Sequence, residues 1–100
     1  MKSEAKLQTK VIRFLKDNER FVIKTQGGTP GTPNGTPDVI TINRQGKLLG
    51  LEFKRPDGKG IVSPEQKAMG AKIRDNRALW FVIDSWEAFE EVWDIGSTSV

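Results

Sequence analysis

Between Gly27 and Pro37 the chain carries the tripeptide Gly-Thr-Pro three times, and so small and turn-prone a stretch can only be loop. That break fixes what can lie on either side. Before it, Ser3 has the character of a helix N-cap, and Leu7, Val11, Phe14 and Leu15 recur at helical spacing, which predicts a helix over 3–18. Phe21-Val22-Ile23 then reads as a short strand. After the loop come two more strands, Asp38–Ile42 and Lys47–Lys54, joined by the turn Asn43-Arg44-Gln45-Gly46.

Asp57-Gly58-Lys59-Gly60 is a second loop, and Ser63-Pro64-Glu65-Gln66 opens a helix with unusual clarity. Serine caps, proline fits the first helical position, and glutamine three residues on can close a capping box. This helix should run to about Asn76. Ala78–Ile83 is apolar without alternation, which predicts a strand buried on both faces. Asp84 or Ser85 should cap a last helix with Trp86, Phe89, Val92 and Trp93 on one side. The order α-β-β-β-α-β-α predicts an α/β sandwich around a small mixed sheet. One domain is expected over 1–94, with 95–100 as a tail.

The composition removes several kinds of chemistry. The 100 residues include no cysteine and no histidine. Disulfides, thiolate metal sites, the usual zinc sites and a Ser-His-Asp triad are therefore excluded. Catalysis would have to rest on carboxylates, lysine, metal and water. No apolar run approaches the length of a membrane span, and no signal-peptide core follows the lysine-rich start, so a soluble cytoplasmic protein is expected. The net charge of +3 hides an asymmetry. All sixteen bases and eight of the thirteen acids precede Asp84, giving +8, whereas Asp84 to Asp94 holds five acids and no base. A basic body of this kind suits a polyanionic partner.

Pro37-Asp38 is followed, fourteen residues after Asp38, by Glu52-Phe53-Lys54. Strand alternation puts Glu52 and Lys54 on one face and Phe53 on the other. Asp after Pro is also a common turn former. Glu52 is harder to assign to structure alone, because it interrupts Leu48-Leu49-Gly50-Leu51 in what should be a central strand, where an unpaired carboxylate is costly. A buried pair with Lys54 would rarely outdo packed apolar residues. Two acids and a lysine at neighbouring strand ends can hold a divalent cation beside an ammonium, an arrangement suited to phosphodiester hydrolysis. Glu4 falls on the inward stripe of the first helix, where it can also favour the helix N-terminus electrostatically. Gln66 shares a stripe with Met69 and Ile73 and can look inward toward the acids. Without metal, clustered carboxylates should repel, and at least one pKa should rise.

Thr36-Pro37-Asp38, Leu51-Glu52-Phe53-Lys54-Arg55-Pro56 and Ser63-Pro64-Glu65-Gln66 together resemble the PD-(D/E)xK nuclease superfamily, and within it the VRR-NUC (virus-type replication-repair nuclease) domain in its standalone phage and bacterial form. The resemblance spans residues 4 to about 84, and that superfamily's αβββαβ core matches the order read above. It implies a metal-dependent endonuclease that leaves a 5′-phosphate and a 3′-hydroxyl, with Mg²⁺ or Mn²⁺ as cofactor. It implies Glu4, Asp38 and Glu52 as metal ligands with the Phe53 carbonyl beside them, Lys54 as the group that positions water and stabilises developing charge, and Gln66 in support. It further implies a DNA partner, branched DNA such as a four-way (Holliday) junction above all, a role in replication, recombination or DNA repair, and the interior of a bacterial or phage-infected cell.

The loop offers backbone N–H groups and hydroxyls to phosphates at Gly28, Thr29, Gly31, Thr32 and Gly35, and Arg55, Lys59, Lys67 and Lys72 are candidate backbone contacts. No P-loop, helix-turn-helix or zinc finger is present, so shape rather than base sequence should be read. The aromatic side of the last helix should cover the sheet, and it would also suit a two-fold homodimer interface. Two other readings remain open: a non-catalytic nucleic-acid-binding module on the same fold, and a non-specific or restriction-type nuclease.

Overall fold

The computed structural model describes residues 3–27 and 29–96. Its elements are α1 (Glu4–Asp17), β1 (Val22–Lys24), β2 (Val39–Ile42), β3 (Leu48–Phe53), α2 (Pro64–Asp75), β4 (Leu79–Ile83) and α3 (Trp86–Trp93). Each helix starts where a serine supplies an acceptor. Ser3, Ser63 and Ser85 accept from the N–H groups of Lys6, Gln66 and Ala88, and Gln66 completes the capping box of α2. The ends of α1 and α2 fall at the C-caps Asn18 and Asn76, where the sequence predicts them. Both close in a Schellman arrangement with a non-glycine residue in the left-handed region, Glu19 (φ 56°) and Arg77 (φ 66°).

The four strands lie in the order β1-β2-β3-β4, with β1 and β2 antiparallel, β2 and β3 antiparallel, and β3 and β4 parallel. A parallel neighbour needs a crossover, which α2 provides. One sheet face, carrying Val39, Leu49, Leu51, Phe53, Leu79 and Ile83, packs on Leu7, Val11 and Leu15 of α1 and on Phe89, Val92 and Trp93 of α3. On the other face α2 comes very close: the indole of Trp80 lies where a Cβ at Gly70 would be, and Ile73 reaches Gly50.

One expectation changes. The β4 strand is an edge strand, not one buried on both faces: Leu79 and Ile83 are buried, Trp80 and Phe81 partly so, and Val82 is exposed. Its apolar run reflects helix contacts on each side, because only β3 pairs with it. The aromatics of α3 turn inward onto the core, as expected of the side that covers the sheet. Phe14 of α1 stands edge-on to Trp86, Phe89 and Trp93 at 5.5, 5.6 and 5.7 Å. Of the expected tail, Ile95 packs partly buried on the core, and residues 97–100 lie outside the described residues. No described helix is long and apolar enough to cross a membrane.

Candidate active site

Because β2 and β3 are antiparallel, the start of one lies beside the end of the other, and this brings Asp38 next to Glu52-Phe53-Lys54. The Phe53 side chain enters the core, while Glu52 and Lys54 share the α2 side of the sheet, as alternation requires. Asp38 is bound to the neighbouring strand through its carboxylate, whose Oδ2 accepts from Phe53 N–H at 2.9 Å. Its backbone is held from the other side. Thr25, just past β1, donates its N–H to the Asp38 carbonyl at 2.9 Å and its hydroxyl to the Pro37 carbonyl at 2.5 Å. The sequence gives no pattern that would single out Thr25.

Glu52 is 1 % exposed. Its Oε1 accepts from Gln66 Nε2 at 2.5 Å and lies 4.0 Å from Lys54 Nζ, and its buried Oε2 has no hydrogen-bond partner among the described residues. The amide of Gln66 is used at both ends. Its Oε1 accepts from Ser63 N–H at 2.8 Å and from Lys54 Nζ at 3.1 Å. The cap of α2 and the wiring of the acidic site are therefore one hydrogen-bonded unit, and the inward look of Gln66 expected from its helical stripe is found.

Burial foremost, then the neighbouring Asp38 carboxylate, pushes the Glu52 carboxyl from its ordinary 4.5 up to about 8. Lys54 pulls it partly back. The closeness of the Asp38 carboxylate thus favours the protonated form, and the charge of Glu4 contributes last. Glu4 is half-buried and stands outside the pair. Among the described residues no three acids are grouped closely enough to hold an ion together, so Asp38 and Glu52 are the acids in direct company.

A cleft of about 300 Å³ opens here, lined by Thr25, Gly35, Thr36, Asp38, Ser63 and Gln66 among others. Gly35 (φ +83°) has no room for a side chain, because a Cβ would overlap the Glu65 carbonyl; the Gly-Thr-Pro loop thus lies directly on the first turn of α2. Of the other loop positions, Thr29 turns its hydroxyl back to the Gln26 carbonyl, Thr32 N–H bonds the Thr29 carbonyl, Gly31 has a left-handed backbone (φ +93°), and Gly28 is outside the described residues. Arg55 is paired with Asp57 at 2.6 Å, and Lys59, Lys67 and Lys72 are exposed beyond the cleft lining. The structure thus brings together Asp38, Glu52, Lys54 and Gln66 and sets Gly35 at the rim, while the basic residues stand farther out.

No protein-family model matches the chain, and no curated protein matches it. A solved structure described as "VRR_NUC domain" superposes with a TM-score of 0.73, covering 92 % of this chain and 95 % of that one at 22 % identity. The architecture expected from the resemblance is present, and the chain has the fold of a VRR_NUC domain.

Proposed function

We propose that this chain is a divalent-metal-dependent endonuclease that hydrolyses phosphodiester bonds in DNA, with branched DNA such as four-way junctions as its substrate. The observation that carries this reading is the convergence of Asp38, Glu52, Lys54 and Gln66 on one end of the sheet, with a buried carboxylate oxygen of Glu52 left without a partner. An orphaned buried oxygen is expensive in a purely structural role. The donor set is all oxygen, which fits Mg²⁺ or Mn²⁺ and not a softer metal.

Asp38 and Glu52 would hold the cation, with the Phe53 carbonyl alongside and Glu4 as the outlying acid. The bound ion supplies a Lewis acid for the scissile phosphate and lowers the pKa of a water. Lys54 presents an ammonium to the phosphate and offsets the charge that develops on its oxygens. Gln66 keeps that ammonium and the Glu52 carboxylate in register, one hydrogen bond to each. Thr25 and Phe53 N–H fix Asp38 so that binding requires little rearrangement.

The test is cleavage of labelled four-way junction, flap, single-stranded and linear duplex DNA with Mg²⁺, Mn²⁺ or EDTA, wild type beside Glu52→Ala. Metal-dependent cutting of branched DNA, lost in the variant, is the expected outcome. Equal cutting of plain duplex would move the protein to the non-specific class, and binding without cutting would make it a binding module. A two-fold pair would carry two such sites to one junction; mass at micromolar concentration checks this.

A further inference from the structure

The cations on and around α1 and β1 differ in what they touch. Lys10 lies over the Trp86 ring at 4.4 Å and Arg20 over the Trp93 ring at 5.3 Å, so both are used in covering α3. Arg13, Lys16 and Lys24 are exposed, and among the described residues none of them forms an ion pair or lies over an aromatic ring. These three converge on one groove of about 470 Å³, together with Thr9, Ile12 and Asp17.

The convergence follows from geometry. Thr9, Ile12, Arg13 and Lys16 share one side of a helix. Lys24 pairs with Val39, whose side chain is in the core, so Lys24 projects from the α1 side of the sheet. Three bases against the single acid Asp17 leave the groove net positive. The opposite flank of α1 has the reverse character, for α3 carries Glu87, Glu90 and Glu91. A polyanion approaching α1 is therefore repelled on the α3 side and attracted on the β1 side.

The groove also adjoins the catalytic cleft. Lys24 lines the groove, Thr25, the next residue, lines the cleft, and β1 is an edge strand, so the two hollows are one residue apart along one sheet edge. We propose that the groove between α1 and β1 is a second nucleic-acid seat, which holds the phosphate backbone of one DNA arm while the scissile phosphate lies beside Asp38. This rests on the nuclease reading above. It gives a chain of this size a way to engage two segments of a bent or branched DNA at once.

The experiment is the salt dependence of binding to a fluorescent four-way junction in Ca²⁺, measured by anisotropy for wild type, R13A/K16A/K24A, R13K/K16R/K24R and K67A/K72A. The alanine triple should weaken binding about a hundredfold or more in ~0.1 M salt, and should flatten the slope of log affinity on log salt by about 0.9 for each lost contact. The charge-keeping triple should retain wild-type affinity. Equal melting temperatures would show that the alanine triple is folded. An unchanged slope in a folded alanine triple overturns the second seat and leaves the nuclease reading intact, as does a loss confined to K67A/K72A. A wild-type protein that neither binds nor cuts DNA overturns both.

Discussion

Gln66 Nε2 donates to Glu52 Oε1 across 2.5 Å, so the side chain that closes the cap of α2 also holds the acid buried in the central strand. Local helix chemistry and site chemistry share one amide. Gln66→Ala should therefore have two separable effects. Loss of the capping box should lower unfolding stability by about 1 kcal/mol, read from a urea midpoint. Loss of the contacts to Glu52 and Lys54 should lower kcat by at least about tenfold. A cap alone would move only the first measurement, so an unchanged kcat would confine Gln66 to a structural role.

The raised Glu52 carboxyl gives a pH dependence of definite sign. Between its ordinary 4.5 and about 8, the folded chain holds a proton that the unfolded chain has released. The contribution is full below the lower value and is lost as pH rises through about 8. In EDTA the melting temperature of wild type should fall over this window relative to Glu52→Gln, which has no proton to lose. Millimolar Mg²⁺ should raise the wild-type melting temperature most at the alkaline end. Proton and cation compete for one carboxylate, so the apparent Mg²⁺ affinity should tighten up to about pH 8 and then level. Parallel pH curves for wild type and Glu52→Gln in EDTA would remove the buried-acid account.

Gly35→Ala tests whether the Gly-Thr-Pro loop is part of the site. The backbone there is left-handed, and any Cβ would overlap the Glu65 carbonyl, so the loop must lift from α2. The expected cost is about 1–3 kcal/mol. Activity should drop more than stability does, because the loop forms one wall of the cleft beside Asp38. Gly46, also left-handed (φ +80°) but in open space at the β2–β3 turn, supplies the control. Gly46→Ala should lose stability without the excess loss of activity.

Sequence and structure agree where one local signal decided the outcome. The Ser3 and Ser63 caps, the proline at the start of α2 and the strand alternation around Glu52 and Lys54 each depend on residues a few positions apart, and of Asp84 and Ser85 the structure uses the serine as the third cap. The buried position of Glu52 was legible because a carboxylate in an apolar strand demands a reason. Long-range pairing was not legible in the same way. An apolar run such as Leu79–Ile83 looks alike whether sheet neighbours or helices cover it, and its edge position emerges only from the strand order. Thr25 was invisible because its partners are the Pro37 and Asp38 carbonyls, and any residue type supplies those. The helix ends at Asn18 and Asn76 were legible from the limits of the apolar periodicity, but the left-handed Glu19 and Arg77 after them were not, because no glycine marks them.

Asn43 is the clearest case of a turn residue with a longer reach. In the sequence it only opens the β2–β3 turn. In the structure it is fully buried, its Oδ1 accepts from the N–H groups of Gln45 and Lys47, and its Nδ2 donates to the carbonyls of Val92 and Ile95. It thus fastens the hairpin turn to the C-terminal end of α3, where carbonyls lack intrahelical partners. Asn43→Ala strands buried donors and acceptors together and should cost about 2–4 kcal/mol. Asn43→Asp should do no better, since it keeps the two acceptor contacts but sets a carboxylate against two carbonyl oxygens. The residue lies past the end of β2, and Asp38 just before its start, so the folded fraction should cut DNA at the wild-type rate. A urea titration paired with cleavage assays well below the melting temperature checks both parts: a stability loss with kcat unchanged is expected, and a matching loss of kcat would mean that the two ends of β2 are coupled.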